Sequence, residues 1–536
     1  MLTHRYRIGH FLTLIFGMKF PTISLASWIL FGLIFFVFFY GNGNWDIYIL
    51  DEAKNAEAAR EMLESGDWII PRFNGELRYD KPPLHYYFFG LSHWLFDVNS
   101  FAARFFPAVM GCLLALSVFF KIKSRLGENK AFWSTLLFIS SLHVQLQFKL
   151  AVPDPFLICF LALSIFSVES FIRSGAQSKK DLRWGFIFLA LATLSKGPIA
   201  LVLFTGSLVI YFLLVPRRYR ISWIKMFDPL AIAFFLVLTL PWYAAVTWVT
   251  AGAWIQEFIF HHNLNRFSKP MEGHGGPFYL SFLMVIIGFL PGSLFLYKLF
   301  ALRYKKILRD PLVSLSCFFT LVTLVFFSMS STKLPNYTAP VFPFLAVIFA
   351  FTLDAQVIYS RGRFVAFCLA ALIPIASIGI VFGLLPTMPE LEGIEKYGPY
   401  MIIPACLAIS SLVFLSFKRF YASLITLCFA YLALNFLLVH FYLPAINSHN
   451  PVRLSEKIWT GKKLHFWGEF NPAFPFSSQQ IIPEWEGQNG IQDLIITTDR
   501  ALNNKPFPDP YQVLFRSKDL FEKTNTMIIR PTFVEE

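Results

Sequence analysis

Runs of predominantly apolar residues, each long enough to cross a bilayer and each followed by a short polar connection, recur along most of this chain. A spanning helix needs about 20 such residues. The first runs from Ile23 to Tyr40, and further runs lie near 103–120, 130–148, 153–172, 184–197, 199–215, 228–249, 277–299, 312–330, 337–353, 364–385, 399–417 and 420–443, about thirteen spans in all. Composition agrees: 56% of residues are hydrophobic, 18% aromatic and 15% charged. That balance excludes an ordinary soluble globule. A net charge of +13 would suit nucleic acid if it formed one patch, but the basic residues are split into clusters between apolar runs. No nucleic-acid role is expected. The six cysteines all fall inside apolar runs and carry no metal-ligand spacing.

The basic clusters fall on every second connection, at Lys121/Lys123/Arg125, Arg173 through Arg183, Arg217/Arg218/Arg220, Arg303/Lys305/Lys306/Arg309, Arg361/Arg363 and Lys418/Arg419. The positive-inside rule assigns these to the cytoplasm. Arg5, Arg7 and Lys19 flank the first run, which shows no small-residue cleavage site and is expected to stay as a helix, with the N-terminus cytoplasmic. The long connections 41–102, 250–276 and the tail from 444 then share the outer face. Residues Leu84 to Phe96 are apolar but too short to span, and are expected to be interfacial or re-entrant. The tail changes composition, with strand-like runs at Asp493 to Thr498 and Tyr511 to Phe515. The expected architecture is mainly α: a polytopic membrane helical bundle over 1–443 with an outer loop 41–102, and a small C-terminal α/β domain over 444–536.

Ionisable groups at the apolar edges of spans are costly, roughly 2.5 to 3.5 kcal/mol at the bilayer centre, so those present are functional candidates. Asp51 and Glu52 stand side by side in the polar stretch Asp46 to Lys81. Asp154 opens a span before Pro155. A solvated loop carboxylate or helix cap is the competing reading for Asp51, and a cap with proline behind it for Asp154. The outer loop from Trp254 to Pro277 carries His261, His262, Arg266, Lys269 and His274, and a third outer connection holds Lys333 and Tyr337. An interfacial helix, a snorkelling lysine and an aromatic belt would account for these too. Together, however, Lys81, Arg266, Lys333 and Tyr337 stand opposite the carboxylates. Cations gathered at a membrane surface suit the phosphate of a lipid whose tail stays in the bilayer.

The run from Asp51 to Gly90 resembles the first periplasmic loop of the aminoarabinose transferase and protein O-mannosyltransferase-like branch of the GT-C glycosyltransferases. Phe101 to Pro107, Asp154-Pro155, Leu194 to Pro198, His262 to Phe267, His274 to Tyr279 and Ser331 to Tyr337 match in order. The resemblance implies an inverting enzyme that moves a sugar from a polyprenyl-phosphate (undecaprenyl-phosphate) donor to lipid A or another envelope acceptor, at the periplasmic face of a bacterial inner membrane. It implies Asp51 as the catalytic carboxylate, Asp154 as a second acidic group, and Lys81, Arg266 and Tyr337 on the donor phosphate. Glu52, Lys196 and Lys333 are further candidates. Where the family often has glutamate before Lys81, this chain has Asp80; with His261 or His262 it is the expected ligand set of a divalent metal such as zinc.

Three other classes fit parts of the pattern. A protein O-glycosyltransferase would share the fold and donor. A lipid or solute transporter favours internal repeats and charge at the midplane, and neither is apparent. A non-catalytic scaffold would tolerate loss of Asp51.

Overall fold

The computed structural model describes residues 23–265, 275–300, 304–357, 360–384, 394–487, 493–520 and 522–532. Every expected span falls on helix. The spans begin with α1 (Leu25–Phe39), and α2 (Leu50–Ser65) and α3 (Leu84–Phe96) follow in the outer loop. Next come α4 (Ser100–Leu126), α5 (Glu128–Ile139), α6 (Leu142–Gln147), α7 (Asp154–Arg173), α8 (Lys179–Lys196), α9 (Ile199–Leu214) and α10 (Pro229–Val249). The bundle closes with α11 (Leu280–Gly288), α12 (Pro311–Met329), α13 (Phe342–Val357), α14 (Arg361–Gly379), α15 (Ile402–Ser416) and α16 (Phe420–Leu437).

Among the described residues, eight helices are long and apolar enough to cross a membrane, or up to ten if each of two bent pairs counts as one span. The other three expected spans fall short for local reasons. Helix α1 has only 15 residues. Helices α5 and α6 are separated where Ser140 ends the first, and the first turns of α8 are basic and polar, reading Lys-Lys-Asp-Leu-Arg. Helix α3 has 13 residues, too few to span, as the sequence predicts.

Capping residues set where spans start. Asp228 and Asp310 each precede a proline at the first helical position, and each side chain accepts backbone N–H groups of its own first turn, from Ala231 and from Leu312 and Val313. Asn99 does the same for α4, accepting from Ala102 at 2.9 Å. Such caps answer N–H groups that a helix start cannot satisfy internally.

The tail carries a four-stranded mixed sheet in the order β3-β4-β6-β5, with β3 (Leu464–Phe466), β4 (Leu494–Thr498), β5 (Tyr511–Lys518) and β6 (Asn525–Pro531). Strands β3 and β4 are parallel and the other pairs antiparallel. The two-residue alternation of a strand divides the apolar residues between faces. Ile495, Met527 and Ile529 pack with Trp467, Trp485 and Phe507, while Leu464, Leu494, Ile496 and Ile528 join the main core of the membrane body.

That docking is reinforced at the outer loop. Asn74 Nδ2 donates to the Ile482 carbonyl at 2.8 Å and its Oδ1 accepts from the Ile482 N–H at 2.7 Å. Arg453 pairs with Asp46 at 3.3 Å, and the Leu520 N–H reaches the Tyr48 hydroxyl at 3.4 Å.

Candidate active site

The outer loop is built around α2 and a hairpin of β1 (Arg72–Phe73) and β2 (Glu76–Leu77). Asn74 and Gly75 turn it with φ of 54° and 79°, the positive pair that a two-residue hairpin requires. Glu61 on α2 accepts both turn amides, so helix and hairpin are one unit. The chain leaving β2 then delivers Arg78, Asp80 and Lys81 beside the start of α2.

Arg78 organises this end. Buried at 6% exposure, its guanidinium meets Asp80 at 2.9 Å and Asp51 at 3.7 Å. It also donates to the Tyr86 hydroxyl at 2.9 Å and to Asn55 Oδ1 at 3.1 Å. Asp51 lies in the first turn of α2, where the partial positive charge of the helix end favours an anion. It makes no capping bond, since Ile49 occupies the cap position, and its side chain is 49% exposed. The carboxylate is therefore fixed at the root and open at the tip.

Glu52, its neighbour, has the opposite setting. Fully buried, it accepts two bonds from Arg104, at 2.8 and 2.9 Å, and one from the Ala151 N–H at 2.9 Å. Arg104 also lies over the Trp45 ring at 4.3 Å and donates to the carbonyls of Asn42, Trp45 and Asp46. Glu52 anchors the loop to α4 rather than facing the site.

Asp154 departs from the two other Asp-Pro helix starts. It caps nothing: Pro153 holds the cap position of α7 without a side-chain bond. Instead, the buried carboxylate takes the Lys196 ammonium on Oδ1 at 2.5 Å, and its Oδ2 is buried with no partner. Lys196 lies 5.0 Å from the centre of the Tyr337 ring. The turn carrying it needs Gly197, at φ +82°. A Cβ at Gly197 would run into the Phe258 ring.

His85 stands between the two groups. It is fully buried, and neither ring nitrogen has a hydrogen-bond partner. Burial, then the charges of Arg78 and Lys81, hold it well below the usual histidine range, with Asp80 opposing and Lys196 adding. It is a neutral imidazole among four charged side chains. Lys81 is itself 7% exposed, and among the described residues no carboxylate pairs with it. The structure thus brings Asp51, Asp80, Lys81, Asp154, Lys196 and Tyr337 into one neighbourhood.

One expectation ends differently, and two others fall wholly or partly outside the described residues. The Lys333 ammonium donates to the carbonyls of Phe327, Ser328 and Ser330 at 3.1, 2.9 and 2.8 Å, so all three of its protons satisfy the end of α12 and none is left for a ligand. Arg266, like Lys269 and His274, lies outside the described residues, as does the side chain of His262. His261 is exposed in a π-helical segment, Glu257–Asn265. No group of three or more His, Cys, Asp or Glu among the described residues is arranged to hold a metal, and Asp80 faces Arg78. Sequence reasoning missed Arg78 and His85. Their only signal was their place in the stretch from Arg78 to His85 that carries Asp80 and Lys81.

A family model described as dolichyl-phosphate-mannose-protein mannosyltransferase matches residues 28–256. An uncharacterised protein of Aquifex aeolicus is 30% identical over 352 residues, covering 64% of this chain and 76% of that one. The undecaprenyl phosphate-alpha-4-amino-4-deoxy-L-arabinose arabinosyl transferase of Serratia proteamaculans is 29% identical over 387 residues, or 67% of this chain; the chain spans 66% of that relative's length. The crystal structure of ArnT from Cupriavidus metallidurans bound to undecaprenyl phosphate superposes with a TM-score of 0.76 over 95% of this chain and 98% of that one. At 19% identity that similarity speaks for the fold.

Proposed function

We propose that this chain, which belongs to the ArnT-like branch of the GT-C membrane glycosyltransferases, moves a sugar from undecaprenyl phosphate to a lipid A-like acceptor with inversion at the anomeric carbon. It is a multi-pass membrane protein, and the reading sets it in a bacterial inner membrane with its N-terminus cytoplasmic. Residues 1–443 serve as the catalytic membrane domain, and 444–536 as a periplasmic domain docked on the outer loop.

The observation that carries the reading is Asp51. It is half exposed at a helix start and held by Arg78, with the buried Lys81, the partly buried Lys196 and the second carboxylate Asp154 in the same neighbourhood. In the proposed step the acceptor oxygen attacks C1 of the sugar from the face opposite the lipid phosphate. The O–C1 bond forms, the C1–O bond to phosphate breaks, and the electron pair leaves on the phosphate oxygen. Asp51 orients the acceptor and takes its proton, the work of a general base. Lys81, with Arg266 and Tyr337, stabilises the charge growing on the departing phosphate, so no protonating acid is needed. Asp154 and Lys196 hold the wall behind them, and the unpartnered Asp154 Oδ2 is free to accept a sugar hydroxyl. A divalent metal on Asp80 with His261 or His262 stays a separate proposal, and no step passes through it.

Purified protein given radiolabelled undecaprenyl-phosphate sugar and lipid A should yield labelled lipid A. Label accumulating inside vesicles without transfer would mean a transporter, and label on protein hydroxyls would move the acceptor class. In the same assay Lys81→Ala should raise the donor concentration needed for half-saturation by about tenfold or more, the size of one lost charge-assisted contact. An unchanged donor titration would remove Lys81 from the phosphate.

A further inference from the structure

The membrane face remote from the Asp51 and Asp154 cluster carries a second concentration of charge. Helix α9 begins at Ile199, just past Lys196, and its 16 residues carry the chain about 24 Å away. There the chain turns by 119° into the segment Arg217–Met226, made of two short 3-10 turns, Arg217–Tyr219 and Trp223–Met226. Helix α12 runs from Pro311 to Met329 and on toward Lys333 and Tyr337, so the helical turn Tyr304–Arg309 before it lies at the same far end. The two segments meet where Arg309 Nε donates to the Tyr219 hydroxyl at 3.1 Å.

This meeting gathers cations without counter-charge. Arg217, Arg218, Lys305, Lys306 and Arg309 are exposed, and among the described residues no carboxylate pairs with them. The carboxylates next to these segments are engaged elsewhere: Asp228 holds Arg183 at 3.0 Å and Asp310 holds Arg125 at 3.1 Å. The Arg218 guanidinium lies 4.7 Å from the centre of the Tyr219 ring, and that of Arg309 lies 5.6 Å from it. Snorkelling side chains that acted alone would spread into water. Here two guanidinium groups, from segments 90 residues apart, converge on one ring. Like charges held together repel, and a guanidinium fork matches the oxygens of a phosphate.

The surroundings decide which phosphate. Leu213 and Leu214 at the end of α9, and Leu230 and Phe234 at the start of α10, are exposed on membrane helices and so face lipid. The segment between them exposes Trp223, Ile224 and Phe227, an apolar group beside the cations at the level where tryptophan meets headgroups. A dissolved phosphate or an acidic protein leaves that apolar group uncovered. An anionic lipid supplies phosphate and hydrocarbon together.

We propose that Arg218 and Arg309, on either element flanking Tyr219, bind the phosphate of an anionic phospholipid in the leaflet opposite the Asp51 cluster, with Trp223, Ile224 and Phe227 set among its acyl chains. The site is independent of the sugar-transfer reading and is tested by binding alone. Full-length protein in neutral detergent micelles would be titrated with phosphatidylglycerol or phosphatidylcholine carrying a fluorescent acyl chain, with anisotropy as the signal. The wild type should bind phosphatidylglycerol at least about tenfold more tightly than phosphatidylcholine, and Arg218→Gln with Arg309→Gln should cut that preference to about twofold or less. Both side chains are exposed, and an unchanged melting point checks the fold. Lys418→Gln with Arg419→Gln removes two exposed cations from the turn between α15 and α16 and should leave the preference within about twofold of the wild type. Trp223→Ser with Phe227→Ser should weaken phosphatidylglycerol about fivefold or more. Equal binding of the two lipids by the wild type, or a preference that survives loss of both arginines, would overturn the proposal. An equal loss in the Lys418 and Arg419 variant would also overturn it, by showing diffuse surface charge. Displacement of phosphatidylglycerol by inorganic phosphate, with sodium chloride of the same ionic strength having no effect, would make this a site for a free anion and overturn the lipid assignment.

Discussion

Asp51 and Glu52 are adjacent in the chain, yet they occupy environments with opposite chemical consequences. Glu52 is an ion held wholly by protein groups, where removing one partner leaves an uncompensated buried charge worth about 3–5 kcal/mol. Arg104→Leu is therefore expected to lower the thermal melting point sharply and to lose activity only as the fold is lost. A variant with normal melting would show that Glu52 is not dependent on the pair. His85 gives a second residue-level expectation. Its folded pKa lies well below the ordinary 6.5, so the unfolded chain takes up the proton first. The stability from keeping it neutral is present above about pH 6.5 and lost as pH falls below that value. Melting of the wild type should drop between pH 7 and pH 5, and His85→Asn should drop less over the same interval.

Elements meet through a few positions where the backbone has no alternative. Gly197 has φ +82° and ψ −148°, a region open essentially to glycine alone. Phe258 already fills the space a side chain would need. Gly197→Ala should cost about 1–3 kcal/mol, read as a lower melting point, together with a weakened hold of Lys196 on Asp154. Unchanged melting would mean that α8 and α9 reach the same turn by another route. The hairpin at Asn74-Gly75 works similarly: its turn geometry points Arg78 back at the start of α2, and its asparagine reaches across to Ile482.

At the scale of the molecule, the helical body was legible because a bilayer imposes one length on every span, and the apolar runs record it. The short helix at Leu84–Phe96 was legible by the same rule, its 13 residues being too few to span. Two of the four tail strands, β4 and β5, were legible as strand-like runs; β3 and β6 were not, nor was the parallel pairing of β3 with β4 across intervening chain. Within the site, Asp51 and Lys81 came from resemblance, while the pair of Asp154 with Lys196 joins residues 42 apart and no local pattern encodes it. Lys333 was misread for a physical reason: a lysine beside a helix end looks the same in sequence whether it faces a phosphate or its own helix carbonyls. Arg78 and His85 escaped notice because their roles depend on burial.

The proposed chemistry rests on one carboxylate, Asp51, and a single-turnover measurement tests it most directly. Radiolabelled undecaprenyl-phosphate sugar would be mixed with lipid A and either wild-type protein or Asp51→Asn, with melting and donor binding checked in parallel. The Asp51→Asn protein is expected to fold, to bind donor as the wild type does, and to transfer sugar at least about 10²-fold more slowly, the usual contribution of a positioned general base. Transfer at a near-normal rate by a folded Asp51→Asn protein would contradict it.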